Sequence, residues 1–151
     1  MTPIQEEAAH LQLGLRLGVT SVSSIVKWAD SQIISIEAPA IPLLDLSLMK
    51  DANPIDVMGK LGELAAPVSA LDVADTVLAD AHAALLEDSA FGRSLAKSLY
   101  FFWVESGYPD ELNECAAFDD EYALAVQGIG TVEDALSHLL EFTGGFANER
   151  T

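Results

Sequence analysis

Apolar residues recur at spacings of three and four along most of the chain, and that period points to helices. Leu71, Ala74, Leu78, Ala81 and Leu85 form one such stripe, in alanine-rich sequence with strong helix propensity. Ile4, Ala8, Leu11 and Leu15 form another. They follow Thr2-Pro3-Ile4-Gln5, which supplies an N-cap, a proline at the first helical position and a capping-box glutamine. Gly18 ends that helix. Val22, Ile25, Val26, Ala29 and Ile33 mark a second, closed by the Pro39 and Pro42 region. LLDLSLMK up to Lys50 fits a short third, and Asn53-Pro54 opens a helix to about Leu64.

Beyond Pro67, the long Leu71 stripe is followed by Phe91, Leu95, Leu99 and Phe102. The run Tyr100-Phe101-Phe102-Trp103 puts aromatics on several sides of that helix, which predicts a buried central element stopped by Gly107. Thr131 caps a last helix carrying Val132, Leu136, Leu139 and Leu140, with Gly144-Gly145 as its expected end. Only Ile33–Ile36 and Tyr122–Val126 resemble strands, and no hairpin signal joins alternating runs. The expected fold is all-α. It is a single compact domain over residues 1–151, with about six to nine helices around an aromatic central helix.

Charge narrows the function. The chain has 151 residues, 24 acids against 7 Lys and Arg, and a formal net charge of −17. With 50% hydrophobic residues it holds enough apolar side chain for a core, so the acidity does not signal disorder. Such a field repels nucleic acid and anionic lipid and attracts basic proteins. Cys115 is the only cysteine, which excludes an intrachain disulfide. The start MTPIQEEAAH lacks the basic and apolar regions of a signal peptide, and LYFFWV at 99–104 is too short to cross a bilayer. A soluble, cytoplasmic protein is expected, without membrane or nucleic-acid partners.

The acids concentrate. Six carboxylates, Asp110, Glu111, Glu114, Asp119, Asp120 and Glu121, fall within twelve residues, and from Ser98 to Glu149 eleven acids meet no Lys or Arg. Pro109-Asp110-Glu111 and Asp119-Asp120-Glu121 each read as the first turn of a helix, where carboxylates cap free N–H groups. Helix starts do not require the absence of basic residues, since an ordinary surface interleaves both signs. A basic partner, a bound cation or halophilic solubility would each account for it.

No EF-hand fits 110–121, because the ligand spacing is wrong and the central glycine is missing. The remaining metal-binding arrangement is an irregular one at Asp119, Asp120 and Glu121. His10, His82 and His138 are far apart. Glu6 and Glu7 precede His10, and Asp134 and Glu141 flank His138, as ordinary helix-face pairs. Glu7-x-x-His10 matches half of a di-iron motif that needs a second such pair. Cys115 has no histidine near it in sequence, and there is no nucleophile elbow or phosphate loop. No cofactor and no catalytic activity are expected. Trp28 lies off its helix's apolar stripe, either packed between helices or anchoring a partner.

In size, acidity, helical character and lack of catalytic motifs the chain resembles the small acidic immunity proteins of bacterial toxin systems. The resemblance carries no residue motif. It implies an inhibitor that neutralises a basic toxin, such as a nuclease, through an acidic surface. Asp110, Glu111, Glu114, Asp119, Asp120, Glu121 and Trp28 are the candidate partner-binding residues. Two other classes fit: an acidic adaptor or secretion chaperone holding an apolar segment, and an enzyme with an unfamiliar carboxylate site.

Overall fold

Every element of the computed structural model, which describes residues 2–149, is helical. In order these are α1 (Pro3–Leu17), α2 (Val22–Ser35), α3 (Ile41–Ser47), α4 (Pro54–Ala65), α5 (Ala70–Glu87), α6 (Phe91–Glu105), a 3-10 turn (Asp110–Leu112), α7 (Cys115–Val126) and α8 (Val132–Glu149). The fold is all-α, with eight α-helices among the described residues. Neither strand-like run forms a strand: Ile33, Ile34 and Ser35 end α2, with Ile36 as its extended C-cap, and Tyr122–Val126 ends α7. None of the helices is long and apolar enough to cross a membrane. They pack as two compact units, one ending at Val77 and the other beginning at Leu78, within α5.

In the first unit α1 lies along α4, and α3 packs on both α2 and α4. Local chemistry sets the helix starts. Thr2 and Gln5 form the reciprocal capping box, Ser21 accepts from the Ser24 N–H, and Asn53 accepts from the Ile55 N–H. Gly18, at φ 81°, closes α1 in the left-handed conformation. The rotation of α1 differs from the expected stripe: Ala9, Leu13 and Leu17 are fully buried, whereas Ile4, Leu11 and Leu15 are only half-buried. Two side-chain amides account for this. Gln5 Nε2 donates to the Ala66 carbonyl and Gln12 Nε2 to the Met58 carbonyl, each at 2.9 Å, which fixes one polar side of α1 toward α4.

In the second unit α7 packs against both α6 and α8. The buried side of α6 is Leu95, Ala96, Leu99 and Phe102. Of the aromatic run only Phe102 is fully buried, while Tyr100 and Phe101 are exposed and Trp103 half-buried. The run does put aromatics on several sides of α6, but the expected burial of those sides is corrected: α6 buries one stripe and turns an aromatic face outward. Tyr100, Trp103 and Tyr108 stack on that face, the last two with ring centroids 4.9 Å apart. Burial of Leu112, Cys115, Phe118 and Tyr122, at spacings of three, three and four, decides where α7 begins. α8 runs through Gly144 and Gly145 instead of ending there. The reason is local: Gly144 lies against the His82 ring, which a Cβ would approach to 3.2 Å, and Thr143 Oγ1 meets His82 Nδ1 at 2.9 Å.

Candidate functional site

Asp110 and Glu111 stand in the first turn of the 3-10 helix as expected, whereas Asp119, Asp120 and Glu121 start no helix, and neither run supplies a cap. No side-chain cap bond is made at the start of the 3-10 turn or of α7. Asp119, Asp120 and Glu121 sit inside α7, where consecutive residues point about 100° apart, so three neighbours cannot converge on one ion. Among the described residues no group of three His, Cys, Asp or Glu side chains is gathered that could hold a metal ion.

The packing of α7 on α8 brings other acids together. Glu111 and Glu114, before α7, line a shallow groove with His138, Glu141, Phe142, Gly145 and Phe146 of α8, about 360 Å³ in volume. Phe142 and Phe146 meet edge to face at 5.3 Å, and Phe142 packs on Phe118 at 5.2 Å, so the apolar floor continues into the core. His138 is held at the groove by Glu121, whose Oε1 lies 2.6 Å from Nδ1, while Glu114 Oε2 is 3.8 Å from Nε2. The carboxylates that engage His138 thus come from across the helix pair, not from Asp134 or Glu141 on its own helix. Glu111 and Glu141 are exposed and have no ion-pair or hydrogen-bond partner among the described residues.

The expected acids therefore separate. Glu111 and Glu114 share the groove, Glu121 orients its histidine, and Asp110, Asp119 and Asp120 lie outside its lining. Glu141, Phe142, Gly145 and Phe146 complete it, and sequence reasoning did not single them out as a site. Their signal was present as one helical face, 138, 141/142 and 145/146, hidden by the glycines read as a helix end. Trp28 belongs to the first unit, half-buried, with Nε1 donating to Glu7 Oε2 at 3.2 Å. That contact supplies its indole with a partner inside the chain, as packing between helices requires.

Cys115 is buried at the root of α7. Burial first, and then the neighbouring Glu114 carboxylate, push its thiol up to about 12, so it stays protonated at neutral pH. A thiolate nucleophile is not available there. No known protein family, curated protein or solved structure matches the chain.

Proposed function

We propose that the chain is a non-catalytic protein-binding module of the immunity type, which neutralises a basic toxin such as a nuclease from within the bacterial cytoplasm. One observation carries the reading: Glu111 and Glu141, two exposed carboxylates without partners among the described residues, rim an apolar-floored groove in a stretch of chain that has no Lys or Arg from Ser98 to Glu149. Concentrated like charge costs stability through self-repulsion, and a partner of opposite sign relieves it. A nuclease site is basic because it holds phosphate, and an acidic surface can occupy it after electrostatically steered encounter.

The adaptor or chaperone reading has an observation of its own. Ile41, Leu44 and Leu48 form an outward stripe on and just after α3, with Ile41 73% and Leu48 84% exposed. The two readings part on salt. The chain, used as bait in extract of its source cell, should capture a basic protein whose association slows as salt rises, and whose activity it blocks. Replacing Glu111 and Glu141 with Gln should slow that association. A captured protein indifferent both to salt and to this double change would move the function to the α3 stripe.

A further inference from the structure

We propose that the α7–α8 groove seats an arginine side chain of the partner, with its guanidinium against the Phe142–Phe146 floor and its N–H groups donated to Glu111 and Glu141. The inference rests on the reading of the chain as a binder of basic proteins, and adds the residue type that the groove selects.

The lining combines two chemistries that most ligands cannot satisfy together. A purely apolar segment would strip water from Glu111, Glu114 and Glu141 without pairing them, which is unfavourable for buried charge. A second copy of this chain would bring its own −17 charge against the same surface. A lysine ammonium neutralises carboxylates, but it is compact and strongly hydrated. A guanidinium is planar and weakly hydrated, stacks on aromatic rings, and presents forked donors that match carboxylates. His138 does not compete for this place, because Nδ1 is held on Glu121 at 2.6 Å and Nε2 faces Glu114. Glu111 and Glu141 are thereby left to the incoming cation.

Space agrees with charge. Apart from its chain neighbours, a Cβ at Gly145 would meet nothing within 4 Å, so the helix surface is open there, where it lines the groove. The groove volume of about 360 Å³ lies at the low end of the roughly 300–1,000 Å³ of small-ligand pockets. That size suits one side chain rather than a folded segment.

The test compares triarginine amide with trilysine amide, equal in charge, titrated into the full chain at about 0.01 M salt, where screening is weakest. Triarginine should bind about three- to fivefold tighter, as a stacked guanidinium implies. Backbone amide shifts should concentrate at Glu111, Glu141, Phe142, Gly145 and Phe146. Gly145→Leu fills the groove without altering charge and should erase the preference while leaving weak binding to both peptides. Gly59→Leu, at an equally open helical glycine in the first unit, should leave the preference intact. If Gly145→Leu fails to fold, the Glu111→Gln and Glu141→Gln pair must erase the preference instead. Equal affinity for the two peptides, or a preference that survives these changes, overturns the groove inference while the basic-partner reading stands. Absence of binding by either peptide overturns both.

Discussion

The hydroxyl of Tyr122 is sequestered from solvent in the second unit without a hydrogen-bond partner among the described residues. Burial raises its pKa, Arg93 opposes the rise and Glu121 adds to it. A buried donor left unpaired costs about 1–3 kcal/mol, so Tyr122→Phe should raise the melting temperature. Gly92 belongs to the same local problem: a Cβ there would collide with that hydroxyl and come within 3.3 Å of Leu136 Cδ1. Gly92→Ala should therefore destabilise by about 1–3 kcal/mol, and by less in the Tyr122→Phe background, where the oxygen is gone. Purely additive melts in the double mutant would show that the two residues do not press on each other. Cys115 gives a second reading of the same core. With its thiol pushed up to about 12 by burial, maleimide should label the native chain only as fast as it unfolds, and the denatured chain at once. Rapid native labelling would expose α7 as loosely packed.

At the level of elements, what the sequence conveyed was whatever local chemistry decides. Thr2, Pro3 and Gln5 specify the start of α1 within four residues, and Gly18 its end, so both were legible without the fold. The start of α7 was not. Asp119 and Asp120 have the propensity of a first turn, but burial of Leu112, Cys115 and Phe118 sets the start at Cys115 and leaves those acids mid-helix. The glycines of α8 misled in the same way, because a helix end and a close contact with His82 both call for glycine. The groove was half legible: Glu111 and Glu114 stood in the acidic run, but their neighbours Glu141 and Phe146 arrive only through helix packing. One start carries a pH signature. At the entry to α5, the Ser69 N–H and hydroxyl donate to Asp72 Oδ2 at 2.8 and 3.0 Å, and the backbone bond foremost lowers that carboxyl below its ordinary 3.8. A carboxyl depressed in the folded chain stabilises fully above its unfolded value, and loses that contribution as pH falls through the lower folded value. Wild type should thus melt above Asp72→Asn at pH 7, with a constant gap down to mild acid that closes only below the ordinary carboxylate range. A gap already closed at pH 6 would mean that the Ser69 bonds do not form in solution.

Across the whole molecule, 24 acids face 7 Lys and Arg, and the chain folds in spite of the imbalance. Lys60 relieves some of it by bridging Asp45 at 3.2 Å and Glu63 at 3.1 Å. From Ser98 to Glu149 the sequence contains no Lys or Arg of its own to do the same. Self-repulsion of this kind acts at long range when salt is dilute: the screening length is roughly 30 Å at 0.01 M and about 8 Å at 0.15 M. Raising sodium chloride across that interval should therefore raise the melting temperature of the free chain. The Glu111→Gln and Glu141→Gln pair should melt above wild type in dilute salt, because each change removes a carboxylate that repels its neighbours and pairs with nothing among the described residues. That advantage should fade as salt rises, since screening removes the same repulsion. The sign is what distinguishes a surface kept for a partner from one built for stability. If the double change lowered the melt, or if salt lowered it, Glu111 and Glu141 would be holding the fold together. The case for an unpaired surface awaiting a cationic partner would then lose its physical basis.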